Sequence, residues 1–169
     1  MSALPPPPPG SPVVEQRSVL AADAGTVWAA AISPEGINHE LGPWVRMSVP
    51  AGFRLTAGDV VLGERLLSSR VSLLGVLPFD YDDLTLIELE DGRRFLERSP
   101  MLSARVWQHE RIVEPAPGGT CTVTDRVTFV PRVRRAARLH RRVVLAIFRH
   151  RHRRLRARYG SAPAERPAV

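Results

Sequence analysis

Hydrophobic and polar positions alternate along most of this chain and give way to helical spacing near its start and at its end. Val13 to Leu20 alternates and predicts a first strand. Asp23 can cap a helix running through Thr26, Val27, Trp28 and Ala31, because its carboxylate accepts the free amides of the first turn; Trp28 falls on the inner face. Ser33-Pro34-Glu35 opens a second short helix, with Ser at the N-cap, Pro where no amide donor is needed and Glu in the first turn. From Trp44 the period is two. Strands are predicted over Val45–Val49, Asp59–Leu67, Leu84–Glu90, Arg93–Glu97, Ala104–Val113 and Thr120–Val130, and Val71–Leu77 suits either a strand or a short helix. Asp91-Gly92 fits a type I′ turn, Pro115 to Gly119 closes the last hairpin, and Pro131 ends its second strand.

Pro131 to Tyr159 then reads as one helix about 40 Å long at 1.5 Å per residue. Ala136, Leu139, His140, Val143, Val144, Ile147 and Leu155 fall near one face, with most arginines opposite. It is the only predicted element long enough to cover the apolar face of a six- or seven-stranded antiparallel sheet. The fold class is therefore α+β, a sheet curling around a terminal helix, with a space between them that opens toward the two short helices.

Composition adds that the 169 residues, 44% of them hydrophobic, can bury one core. A single domain is expected over residues 13–159, between a disordered proline-rich tail at 1–12 and a disordered tail at 160–169. One cysteine, Cys121, excludes an internal disulfide and a Cys-rich metal site and fits a reducing compartment, so a cytoplasmic location is expected. No apolar run approaches the roughly 20 residues of a membrane-spanning helix, and Met1 to Pro12 lacks the features of a signal peptide.

Charge divides the chain. Residues 1–131 carry a net −5 and residues 132–169 a net +12, for the overall +7. Every basic residue other than histidine is arginine, as in high-GC coding sequences such as those of actinobacteria, and without lysine Schiff-base chemistry is excluded. The basic helix face has three readings: a solvated face partly neutralised by Asp82, Asp83, Glu88, Glu90 or Glu110, a contact with an anionic membrane surface, or a contact with nucleic acid. No recognition motif supports the last.

Four blocks carry a family resemblance: Glu35 to Leu41 with Pro43 and Arg46-Met47; Gly75 to Asp80; Ser99-Pro100-Met101 with Trp107 to Arg111; and Phe148 to Leu155. Together, over Val13 to Tyr159, they resemble a bacterial branch of the START-like, or SRPBCC, superfamily that includes polyketide cyclase/dehydrase and lipid-transport proteins. The resemblance implies a helix-grip fold and a deep cavity for lipids, polyketides or other hydrophobic molecules. It does not by itself supply a reaction.

The last hairpin holds the best constellation for chemistry. Alternation puts Trp107, His109 and Arg111 on one face and makes Asp125 the single charge on the apolar face of the next strand. In a register pairing positions that sum to 234, His109 lies opposite Asp125 and Trp107 opposite Val127. The pair is then either a carboxylate-oriented general base or a structural His–Asp or Arg–Asp pair. Glu97 shares a face with Phe95 and can enter the cavity or pair with Arg126 or Arg111. The expected cavity wall comprises Trp28, Phe79, Phe95, Glu97 and Met101, with Trp107, Arg111, Val144 and Ile147; Pro78 to Tyr81 is expected to turn at its rim. His150 and His152, two apart on a helix, point to different sides and make poor joint metal ligands, so neither a metal nor a cofactor is expected. The expected function is binding or transport of a small hydrophobic ligand. The alternatives are a cyclase or dehydratase using His109 and Asp125, and a basic helix docking on anionic membrane or nucleic acid.

Overall fold

The computed structural model describes residues 5–49 and 61–162. Their elements are β1 (Val13–Leu20), α1 (Ala24–Ala31), α2 (Pro34–Leu41), β2 (Val45–Met47), β3 (Arg65–Leu73), β4 (Leu77–Glu90), β5 (Arg94–Ser99), β6 (Ala104–Ala116) and β7 (Thr120–Pro131). A 3-10 turn over Arg134–Ala136 then leads into α3 (Ala137–Tyr159). The seven strands form one antiparallel sheet in the order β1-β7-β6-β5-β4-β3-β2. The sheet curls around α3, and the two short helices sit after the first strand, which is the α+β helix-grip arrangement.

Local chemistry accounts for the helix starts. The Thr26 amide donates to Asp23 Oδ1 at 2.8 Å, and the Gly36 amide to Ser33 Oγ at 3.0 Å, each filling one orphan donor of a first turn. Gly36 also lets α2 cross α1 closely, since a Cβ there would stand 1.9 Å from the Ala30 carbonyl oxygen. Asn38 ties α2 to β2: its Oδ1 accepts from the Met47 amide at 2.9 Å, and its Nδ2 donates to the Met47 carbonyl at 3.0 Å.

Several boundaries differ from those expected. Positions 59 and 60 of the expected Asp59–Leu67 strand lie outside the described residues, and the strand observed, β3, starts at Arg65 and takes in Val71–Leu73. Pro78 to Tyr81 is not a turn but the start of β4; the hairpin turns at Leu74-Gly75-Val76, where Leu74 and Gly75 take positive φ of 52° and 73°. The loop between β4 and β5 has three residues, not two. Gly92 alone adopts positive φ there, and Asp91 instead accepts from the Gly92 amide and from Trp28 Nε1. The terminal α-helix begins at Ala137, after the 3-10 turn, and not at Pro131, so α3 is about 35 Å long. Residues 1–4 and 163–169 of the expected tails lie outside the described residues. Residues 160–162 are not a free tail: Ser161 bridges to Leu20, and the Ala162 amide donates to the Val19 carbonyl. No helix among the described residues is long and apolar enough to cross a membrane.

Candidate functional site

A cavity of about 370 Å³ lies between α3 and the sheet. Its wall is mainly apolar, with Leu41, Val45, Val71, Leu84, Phe95 and Met101 on one side and Val144, Ile147 and Phe148 of α3 on the other. Phe79, Leu139 and Val143 line it too while 44%, 64% and 46% exposed, and so mark its mouth. Strand alternation aims Asp80, Asp82, Glu97 and His109 into the same space.

Of the residues expected from the sequence, Phe79, Phe95, Glu97, Met101, Trp107, His109, Val144 and Ile147 line the cavity. Trp28, Arg111 and Asp125 do not. Trp28 is packed in the core beside Phe95 and donates to Asp91, because α1 lies against the other end of the sheet's concave face. Arg111 and Asp125 are fully buried behind His109, tied to each other and to the helices. The hairpin register sums to 236 rather than 234, so Arg111 lies opposite Asp125, Trp107 opposite Phe129 and His109 opposite Val127. A shift of two keeps every side chain on its face, and His109 still reaches Asp125 on the diagonal, Nε2 to Oδ1 at 2.8 Å.

These residues belong to a larger buried network. Arg111 donates from Nε and Nη2 to the two Asp125 oxygens at 2.7 Å each, and from Nη1 and Nη2 to the two Glu40 oxygens at 2.8 Å each. Glu40, from α2, also accepts from Arg151 of α3 at 2.9 Å. The second Asp125 oxygen lies 2.9 Å from His152 Nε2, whose Nδ1 is 2.8 Å from the Ser18 hydroxyl; Ser18 in turn accepts from Arg156. His152 Nε2 faces a carboxylate oxygen and is its donor. The network thus joins β1, β6, β7, α2 and α3.

Electrostatics sort the carboxylates. Burial pushes Asp125 up, but Arg111, His109 and His152 outweigh it and hold the carboxyl well below its ordinary range. Glu40 is likewise lowered, with Arg111 and Arg151 overcoming its burial. Burial works against the charged form of His109, yet hydrogen bonds to Asp125 and to Glu97, 3.1 Å from Nδ1, raise it. An imidazolium held between two carboxylates, with Phe95 and Phe148 edge-on to its ring at 5.3 and 5.1 Å, is the result. Asp82 moves the other way, pushed up to about 7 by burial and then by Glu97. Its Oδ1 is buried with no hydrogen-bond partner among the described residues. Those residues also contain no group of three or more His, Cys, Asp or Glu placed to hold a metal.

Sequence reasoning gave Glu40, Asp82, Arg151 and His152 no part in this site, weighing Asp82 only as a partner of the helix arginines and His152 only as a metal ligand. Glu40 lies four residues after Gly36 on the packed face of α2, and Arg151, His152 and Leu155 continue the buried spacing of Val144 and Phe148. Those spacings were the available signal. One helix arginine, Arg151, is neutralised by the acidic body, but by Glu40 of α2 and not by the acids expected from the sequence. Glu88 and Glu110 pair with Arg94, Glu90 with Arg93, and Asp82 faces the cavity.

A family model described as a domain of unknown function (DUF8410) matches residues 18–159. No curated protein matches the chain. Among solved structures, a protein from Chromobacterium violaceum is 14% identical, with 89% of this chain and 99% of that one covered at a TM-score of 0.66. A START superfamily protein from Mycobacterium smegmatis is 9% identical, covering 87% and 96% at 0.64. The Zhui aromatase/cyclase from Streptomyces sp. R1128 is 13% identical, covering 87% and 92% at 0.66. At these identities the likeness establishes the fold, which is START-like.

Proposed function

Because the chain belongs to the DUF8410 family, a domain of unknown function that here takes a START-like fold, we propose a function from its cavity: binding or transport of a small hydrophobic molecule, lipid or polyketide-like. The observation that carries this is the 370 Å³ space with an apolar wall and an apolar mouth, which is within the size range of small-molecule sites. The neighbouring START superfamily and aromatase/cyclase folds are compatible with such a ligand. The test is a panel of lipophilic compounds scored by thermal unfolding, run beside Ile147→Trp, which extends an indole into the space. Stabilisation of the wild type and not of the variant supports the reading; equal response, or none, removes it.

The alternative, a cyclase or dehydratase with His109 as base and Asp125 as its orienter, draws support from the His109 ring on the cavity wall. Against it, both ring nitrogens already face carboxylates, so the imidazole has no free lone pair with which to take a proton. The role that fits is positional: His109 joins the cavity wall to the buried network.

A contact with an anionic membrane is favoured by a separate observation. Ten of the twelve arginines between 132 and 158 are exposed. The β3–β4 hairpin tip exposes Leu74, Val76 and Leu77 beside Trp44, whose carbonyl accepts from the Leu74 amide. Arg46 lies against Gly75 of the same tip, and exposed apolar side chains together with a basic surface suit a headgroup boundary. Sedimentation with phosphatidylglycerol vesicles, lost in phosphatidylcholine and weakened by salt, supports it; indifference to lipid charge contradicts it.

A further inference from the structure

The cavity wall holds one carboxyl that the buried network does not use. Arg111, Arg151, His109 and His152 pair with Glu40, Asp125 and Glu97, and none of these pairs uses Asp82. Asp82 is 4% exposed, points into the cavity from β4, and has an oxygen without a partner among the described residues. The groups around it are otherwise engaged, except Ser99 of β5, whose buried hydroxyl likewise has no hydrogen-bond partner among the described residues and lies close enough to act on the Asp82 carboxyl. Asp80 accepts from the Tyr81 and Leu102 amides and the Ser103 hydroxyl, and Glu97 meets His109. Ser69, its register partner on β3, donates to the Ser48 carbonyl. Across the cavity on α3, Arg151 is tied to Glu40, and His140 stacks on Phe129 at 4.7 Å.

We propose, resting on the cavity-binding reading above, that Asp82 is the ligand-recognising polar group of the cavity: a neutral carboxyl that donates its O–H to a carbonyl oxygen on an otherwise apolar ligand. A buried negative charge with no counter-cation costs several kcal/mol, whereas the neutral acid is an O–H donor with one acceptor to find. Glu97, an anion already shared with His109, disfavours a second charge beside it and keeps the proton on Asp82. Ser99, buried nearby on β5, and His109 on β6 act in the opposite direction without overcoming burial. The ligand class is therefore a hydrophobic ketone, ester or quinone, and binding should favour it only while Asp82 holds its proton.

The test uses two probes of the same shape, 2-acetylnaphthalene and 2-ethylnaphthalene, titrated calorimetrically into the full chain at pH 5.5 and pH 8.5. One neutral hydrogen bond is worth about 1 kcal/mol, so the ketone should bind about five- to tenfold more tightly at pH 5.5. That advantage should vanish at pH 8.5, where the carboxylate repels the carbonyl oxygen. Asp82→Asn, whose amide keeps an N–H donor that does not titrate, should retain the preference at both pH values; Asp82→Leu should show none at either. Equal affinity for the two probes at pH 5.5, or a preference that survives in Asp82→Leu, overturns the assignment while 2-ethylnaphthalene binding leaves the cavity reading standing. Binding of neither probe by the folded wild type overturns both.

Discussion

Arg111→Met is the sharpest test of what holds the helix to the sheet. The substitution keeps a long apolar stem but deletes four charge-assisted hydrogen bonds, all 2.7–2.8 Å, and leaves Asp125 and Glu40 without their principal cation. Both carboxylates are buried, and neither can turn to water without parting α2 or β7 from α3. Removing one partner of such a cluster costs about 3–5 kcal/mol, a large share of the 5–15 kcal/mol typical of a domain's total stability. Urea unfolding followed by tryptophan fluorescence and circular dichroism reads the loss directly. With slopes of about 1–3 kcal/mol per molar, the midpoint should fall by more than about 1 M. The pH dependence supplies a second readout. In the wild type the lowered carboxyls of Asp125 and Glu40 contribute stability that is present above their unfolded range near pH 4 and lost as pH falls through their folded values. Without Arg111, burial raises these groups, so the variant takes up protons on folding and the gap to wild type should narrow from pH 8 to pH 5. A loss below about 1 kcal/mol at pH 7.5, or a gap that does not change with pH, would refute the reasoning.

Further expectations concern other parts of the fold. Gly36→Ala should destabilise by more than about 1 kcal/mol in thermal melts, since the added methyl meets backbone rather than a yielding side chain; an unchanged melt would show that α1 and α2 can separate freely. Asp82→Asn should flatten the pH dependence of stability in the opposite sense from Arg111→Met. A carboxyl raised to about 7 costs stability progressively as pH rises from about 4 to 7, by up to about 4 kcal/mol, and the amide removes that cost, so the variant should be the more stable protein at pH 8. Lower stability of the variant at that pH would contradict an ionised, unpaired Asp82. Asn38→Ala should lose about 1–3 kcal/mol in urea melts through the freed Met47 backbone groups, and a neutral effect would mean that β2 is held by β3 alone.

The order of elements was legible because alternation, caps and turn residues agreed locally: Asp23 and Ser33 cap where their neighbours suggested, and Val13–Leu20 pairs along its whole length. The misjudged segments are those where local signals conflicted. Leu77 to Asp83 mixes a proline, aromatics and three acids, a composition that suggests a rim turn. The strand forms there because pairing with β3 and the hydrogen bonds from 102 and 103 to Asp80 outweigh local preference. The candidate pair on the last hairpin was half legible. Face assignment followed from period two, whereas register depended on a loop geometry that sequence does not fix. Glu40, Arg151 and His152 were harder still. Charged residues on a helix read as solvated until the partner that neutralises them is known, and here the partners come from other elements: Arg111 of β6 for Glu40, Glu40 of α2 for Arg151 and Asp125 of β7 for His152.

The central claim, that the space between α3 and the sheet is a ligand site, is tested most directly by the three indole N–H resonances of the 15N-labelled protein during titration with 2-ethylnaphthalene. Trp107 lines the cavity, Trp28 is held in the core by Asp91, and Trp44 is 55% exposed at the hairpin tip. The account predicts a saturable shift of the Trp107 signal at one equivalent, with the other two unmoved. A shift confined to Trp44, or no shift at saturation, would contradict it.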